Sequence, residues 1–376
     1  MKIIDVVTHV LEAPLTIPFR WSFNRADIRQ TVLVEITTDS GLTGWGECFG
    51  PSRPIAAIIQ SFRQLLIGAD ALATDLIWQT LYDRCRDQGQ KGMPICAISG
   101  IDIALWDIKG KHFDASVHQL MGGPLRTEVE AYATGMYRRD DGDPLEYLVE
   151  EALGYVAEGF RGVKLKIGFD VEGDVAIARA VREAVGPDIK LMMDANHGYD
   201  VIDAIRMGRM VEDLDIRWFE EPVVPEDLAG YREIKAALKI PLSGGECDYT
   251  RYGFRDILAT RSIDIIQPDT CAAGGLSECK KIADMAVAHG IRYIPHVWGT
   301  GIGLAASMQL LAVLPHNPAG WNPTEPLLEF DRSEHPFRQA VLTQPLEHVN
   351  GVVQVPTGPG LGIEIDRDGI QRFEVD

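Results

Sequence analysis

From about residue 128 the chain repeats one unit, a short apolar run followed by an amphipathic stretch of helical spacing. The apolar runs are EVEAYAT (128–134), GVKLKIG (162–168), IKLMMDA (189–195), IRWFEEP (216–222), IPLSGGE (240–246), IDIIQPD (263–269), IRYIPHV (291–297) and LLEFD (327–331). Helices fit between them, for example over 171–185, 201–213, 227–237, 249–260 and 275–289. Strands that alternate with helices at roughly 25–30 residues per unit pair in parallel, and eight of them close a barrel. After Asp331 no helix-sized amphipathic stretch completes the last unit. The predicted fold is therefore α/β, a (β/α)7β TIM-like barrel.

The chain before the repeat has a different texture. Residues 2–12 and 30–38 are rich in β-branched side chains, and Asp39-Ser40-Gly41 precedes GWGECFG. That turn signal predicts a hairpin between the second run and the third. Helical patterns follow over 53–67, 73–88 and 92–112. From about residue 350 the tail carries two strand-like runs, GVVQVP and GIQRFEVD. The predicted organisation is an α+β capping domain over 1–125, the barrel with its metal site over 126–340, and a C-terminal segment over 341–376 that packs on the capping domain and completes it.

Composition narrows the partners. Lys plus Arg is 36 against 55 Asp plus Glu, a formal charge of −19. Phosphate backbones and anionic lipid repel such a chain, so no nucleic acid and no membrane partner is expected. The opening MKIIDVVTHVLEAP carries Asp5 and His9 inside its apolar stretch, which breaks a secretory h-region. Six cysteines occur without any CxxC pair. Scattered thiols in a chain with an ample core read as reduced, and the expected location is cytoplasmic.

Barrel enzymes place their chemistry at the C-terminal ends of the strands. Asp194, Glu220 and Glu246 end the third, fourth and fifth strands at intervals of 26 residues. Singly, each reads as an exposed residue at a strand end. Together and in phase, three carboxylates converge and repel unless a cation joins them. Oxygen-only ligands suit Mg2+, one per chain. The second strand contains Lys164 and Lys166. Period two puts both on one face and Val163, Leu165 and Ile167 on the other, so the lysines point into the barrel. Adjacent ammonium groups depress each other's pKa, which favours a neutral lysine able to accept a proton. An isolated KxK would more often be a solvated strand edge. Asp269 and His296 end the sixth and seventh strands, again one unit apart. The Asp can hold the imidazole in one tautomer and raise its basicity. The ordinary alternative is a satisfied core histidine, but the loop Val-Trp-Gly-Thr-Gly that follows favours a pocket. Glu329, with Glu325 as a rival, could hydrogen-bond opposite the histidine. A cation site with a base on either side suits proton abstraction next to a carboxylate.

These residues, with GIDIALWDIKGK, KLK, DANHGY, FEEP, GGE, QPD and HVWGTG in this order, resemble the enolase superfamily and its mandelate racemase subgroup over essentially the whole chain. The resemblance implies Asp194, Glu220 and Glu246 as Mg2+ ligands, Lys166 with its partner Lys164 as one acid/base, and His296 with Asp269 as the other. Asp269 stands where some relatives have lysine, which argues against the muconate-lactonizing and dipeptide-epimerase subgroups. The stretches RDQGQKG, AYATGMYRRD, WFEEPVVPE, LLEFDRSEHPFRQAVL and NGVVQVPTGPGLGIEI further resemble the D-galactarolactone cycloisomerase family. That resemblance implies an acid-sugar lactone as substrate, opened by α-proton abstraction and β-elimination to a 3-deoxy-2-keto hexarate. It also implies a symmetric homo-oligomer, octamers being common in the subgroup. Substrate contacts are expected from Asn196 and Trp298 beside the strand ends. Capping loops around 18–28 and 48–54 would add Trp21, Arg25 and Arg53, where an arginine suits a distal carboxylate. The alternatives are an acid-sugar dehydratase with water as leaving group, a racemase or epimerase of an α-hydroxy acid, and a non-catalytic binding protein. The last should have lost a ligand or a base, and none is lost here.

Overall fold

The computed structural model describes residues 1–318, 320–321 and 326–375. Glu325, the rival to Glu329, lies outside the described residues.

Three antiparallel strands open the chain: β1 (Ile3–Trp21), β2 (Asn24–Thr38) and β3 (Thr43–Cys48). The β2–β3 hairpin turns at Asp39-Ser40-Gly41, as the turn signal predicted. Residues 18–28 are not the expected loop. They form the far end of the β1–β2 hairpin, with Trp21 paired to Asn24. Arg20 and Arg138 exchange backbone hydrogen bonds of 2.7 and 3.0 Å, which fastens that end to the barrel. Four helices follow: α1 (Ser52–Leu66), α2 (Thr74–Cys85), α3 (Met93–His112) and α4 (Val117–Leu120). Helix α3 is buried almost all round and lies on β3. The contact depends on Gly44 and Gly46, where a β-carbon would stand 2.1 and 1.9 Å from carbonyl oxygens of α3.

Eight parallel strands then form one curled sheet: β4 (Glu128–Thr134), β5 (Gly162–Lys166), β6 (Lys190–Asp194), β7 (Ile216–Glu220), β8 (Leu242–Gly244), β9 (Ile265–Ile266), β10 (Arg292–Tyr293) and β11 (Leu328–Asp331). Their order is β10-β9-β8-β7-β6-β5-β4-β11. Seven helices alternate with them: α5 (Pro144–Ala157), α6 (Val171–Val185), α7 (Val201–Val211), α8 (Leu228–Ala237), α9 (Thr250–Thr260), α10 (Gly275–His289) and α11 (Gly301–Val313). Val163, Leu165 and Ile167 face the helices and belong to the main core. Tyr132, Met192, Trp218, Ile265 and Ile294 form a separate inner cluster. The lysines of β5 therefore point inward, as period two required.

The tail differs in part from its expected strands. Residues Val352–Gln354 form β12, antiparallel on β4. The GIQRFEVD run is largely helical, within α12 (Arg367–Phe373). Its start is set by Asp366, whose carboxylate accepts from Gly369 N at 3.0 Å, so a capping residue outweighs the β-like composition. Val375 N then donates to Val10 O of β1 at 2.9 Å. Among the described residues no helix is long and apolar enough to cross a membrane.

A buried ion pair ties the hairpin to the barrel. Arg29 of β2 reaches Asp331 of β11 at 2.9 Å, and Arg338 reaches the same carboxylate oxygen at 2.5 Å. Burial alone would push Asp331 up, but Arg338 and Arg29 outweigh it and hold it at about 2, below its ordinary 3.8. A depressed carboxylate pKa contributes stability that is present above 3.8 and lost as pH falls through 2. The contribution is on the order of 2 kcal/mol. Unfolding free energy should fall steeply across this window, and Asp331→Asn should be destabilised at neutral pH with a flatter acid limb. Urea titrations at several pH values measure both.

Candidate active site

Strand register assembles the site. Lys166, Asp194 and Glu220 are Cα partners across β5, β6 and β7. Glu246 lies two residues past the end of β8 rather than in the strand. One carboxylate oxygen from each of Asp194, Glu220 and Glu246 lies within 4.8 Å of the others. Asp194 and Glu220 are fully buried and Glu246 is half-buried, so the cluster opens on the Glu246 side.

The electrostatics favour a cation here. Burial, the largest influence, pushes Glu220 up to about 8. Lys164 opposes that, while Asp194, Glu329 and Glu246 add to it by repulsion. Burial would also raise Asp194, but Lys166 and Lys164 outweigh it and hold that carboxylate at about 2. Glu220 is thus pressed towards its neutral form beside the neighbouring carboxylates, and a divalent ion with oxygen ligands removes the conflict. The donor set is all oxygen, so the residues fit Mg2+.

The lysines behave differently from expectation. Burial alone would lower both, yet both lie above their ordinary value. Lys164 Nζ is 2.6 Å from Glu220 and 2.7 Å from Glu329, and Lys166 contacts Asp194. Those carboxylates outweigh the mutual repulsion of the two ammonium groups. A cation bound to the same carboxylates would draw on that charge and lower the lysines.

On the opposite flank, His296 Nδ1 is hydrogen-bonded to Asp269 Oδ2 at 2.7 Å. Its Nε2 faces Glu246 Oε2 at 3.3 Å. Burial lowers the imidazole, but Glu246, Glu329 and Asp269 together push it up to about 10. Lys166 thus adjoins the cluster at Asp194 and His296 adjoins it at Glu246.

The other expected residues divide. Glu329 is used within the barrel wall: it accepts from Thr134 Oγ1 at 2.6 Å and Val297 N at 2.9 Å, besides pairing with Lys164. Asn196 Oδ1 accepts from Lys166 Nζ at 2.9 Å, so it orients the lysine. Trp21, Arg25 and Trp298 line a cavity of about 500 Å³ that reaches Asp269, with Phe49 and His335. Arg25 is already paired with Asp27 and Asp140. Arg53 pairs with Glu12 at 3.2 Å and is not among the residues that line that cavity.

Sequence reasoning missed several supports. Gln267 Nε2 and Trp218 Nε1 donate to Glu220 Oε2 at 2.7 and 2.9 Å. Glu47 is fully buried and accepts from Thr31, Thr300 and Gly303, which joins β3 to the segment after His296. The signal for Glu47 was a carboxylate inside the apolar GWGECFG run.

A parallel barrel that gathers carboxylates between a lysine and a histidine is suited to moving the proton next to a carboxylate. Comparison with known proteins gives the family. Residues 147–369 match the enolase C-terminal domain-like family. Residues 3–122 match the mandelate racemase / muconate lactonizing enzyme N-terminal domain. The chain belongs to the mandelate racemase / muconate lactonizing enzyme family of the enolase superfamily. It is 52% identical over 375 residues to the D-galactarolactone cycloisomerase of Agrobacterium fabrum, covering 100% of this chain and 99% of that one. It is 36% identical to the arabinonate dehydratase of Saccharolobus solfataricus, covering 91% and 89%. The crystal structure of the 3,6-anhydro-D-galactonate cycloisomerase from Zobellia galactanivorans superposes with a TM-score of 0.91 at 40% identity, covering 100% of both chains.

Proposed function

We propose that this enzyme is an Mg2+-dependent acid-sugar lactone cycloisomerase that opens D-galactaro- or D-glucaro-1,4-lactone. The observation that carries the reading is the placement of Lys166 and His296 on either flank of the carboxylate cluster, in a chain with a full-length cycloisomerase relative.

Asp194, Glu220 and Glu246 would hold the cation. When bound, Mg2+ supplies positive charge for the enediolate that develops as the α-proton leaves. Lys166 and His296 are the two proton-transfer groups, one for each face of the α-carbon. Asp269 orients the imidazole, and Asn196 orients the Lys166 ammonium. Lys164 and Glu329 are positioning groups, because each is spent on the other and on neighbouring residues. The α-C–H bond breaks and its proton passes to a base. The bond from the β-carbon to the ring oxygen breaks, and that oxygen leaves as a carboxylate. The enol then ketonises to the open-chain 3-deoxy-2-keto hexarate. No water enters or leaves, so the net change is an isomerisation. A carboxylate leaving group needs little acid assistance. Trp21, Trp298 and the cavity they line would receive the rest of the sugar acid.

A proton NMR time course in deuterium oxide tests this, with both lactones beside the open-chain aldarates. Conversion of a lactone to a keto acid is the expected result, and it should stop when EDTA removes the metal and resume with added Mg2+. Turnover of the open-chain acids with loss of water would make the enzyme a dehydratase. Exchange of the α-proton without elimination would make it a racemase or epimerase.

A further inference from the structure

We propose that His197, Glu221 and Cys247 form a second cation site, separate from the three-carboxylate cluster and suited to a thiophilic divalent ion such as Zn2+. Each residue follows a different barrel strand. His197 lies three residues after Asp194, Glu221 directly follows Glu220, and Cys247 directly follows Glu246. Their ligand atoms all lie within 4.8 Å of one another. Cys247 Sγ is 3.6 Å from His197 Nε2. That distance matches the N···S edge of a tetrahedral zinc centre with Zn–N of about 2.05 Å and Zn–S of about 2.3 Å, whereas the 2.8 Å between His197 Nε2 and Glu221 Oε2 would have to open by about 0.5 Å on binding.

The second observation is the state of Glu221. Its side chain is 1% exposed, and among the described residues the one polar group paired with it is the His197 imidazole, itself a member of the cluster. A buried carboxylate with no partner beyond one imidazole is under-satisfied, and a shared cation completes it. The donor set decides the ion. Oxygen alone suits Mg2+, whereas imidazole, carboxylate and thiolate together suit zinc-like ions. Cys247 is also the one free cysteine that is not fully buried. Phe23, at the tip of the β1–β2 hairpin, packs on the His197 ring with centroids 5.1 Å apart. Occupancy would therefore reach the hairpin that covers the barrel mouth.

Cobalt(II) titration of the full chain in excess Mg2+ tests the site. The expected result is one Co2+ per chain with a thiolate-to-cobalt charge-transfer band in the near ultraviolet. Cys247→Ser should lose the band, His197→Gln should weaken Co2+ binding by more than about tenfold, and Asp194→Asn should keep the band. Circular dichroism and thermal melting in Mg2+ establish that each variant is folded, and Cys279→Ser serves as a buried-thiol control that keeps the band. Absence of the band in the folded wild-type chain, its persistence in Cys247→Ser, or its loss in Asp194→Asn would each overturn the proposal. The first of these would leave His197 and Glu221 as a simple ion pair. None of the three outcomes bears on whether lactone is turned over, so this test is independent of the function proposed above.

Discussion

Asp194→Asn is expected to lower kcat by about 10³-fold or more, because it removes one of three converging ligand charges from the site that stabilises the enediolate. The substitution preserves size. An amide oxygen can still accept from Asn196 N, which donates to Asp194 Oδ1 at 2.9 Å. What disappears is negative charge. The proposed metal site loses a ligand, and Lys166 loses the carboxylate that holds it protonated. In the wild-type chain, saturating Mg2+ should raise the melting temperature, since a ligand that binds only the folded state stabilises it by about 2.7 kcal/mol at one hundred times its Kd. In Asp194→Asn that rise should vanish together with the activity. A purely structural role for Asp194 would give a different pattern: a lower melting temperature with the Mg2+-induced rise intact.

His296→Asn is expected to cost about 10²–10⁴-fold in kcat on a substrate whose α-proton faces the histidine. Asparagine can still hydrogen-bond to Asp269 but cannot carry a proton. Lys166 on the other flank would be untouched, since it contacts Asp194 and Asn196 rather than His296. The informative readout is solvent exchange. With a substrate of the opposite α-configuration, Lys166 should still exchange the α-proton for deuterium in His296→Asn. Lys166→Ala should show the reverse preference. If His296→Asn retained full turnover on every accepted lactone, the histidine would have no essential part in proton transfer. If both variants lost exchange on both configurations, the groups would act as a unit rather than one per face.

The barrel was legible because its signal is local. Each strand is a short apolar run, each helix has its own stripe, and helices 171–185 and 275–289 match the observed α6 and α10 residue for residue. Helix α6 is bounded by Asp170, which caps Gly173 N, and by Gly186 in the left-handed region, so both ends are written in the chain. The strands were read too long. The fifth to seventh shrink to Leu242–Gly244, Ile265–Ile266 and Arg292–Tyr293, because chain that leaves the sheet to build the site keeps its apolar pattern without its ladder. The tail misled for the converse reason: Ile370, Phe373 and Val375 look like strand residues, but a single cap at Asp366 starts a helix.

The sequence by itself determined the repeat, the inward direction of Lys164 and Lys166, and the phase of the strand-end carboxylates. All three follow from periods of two residues and of one βα unit. Only the tertiary structure decided the charge state and the pairing of the side chains. Glu329 pairs with Lys164 and accepts from Val297 N, Asn196 accepts from Lys166, and Arg25 pairs with two aspartates. Both lysines are held protonated by carboxylates from other strands, against the repulsion that the KxK spacing alone predicts. Coulomb interactions in a buried site depend on distances of a few ångströms between residues tens of positions apart. A linear pattern can state which side chains share a face, but the pairing of charges exists only once the strands are in register.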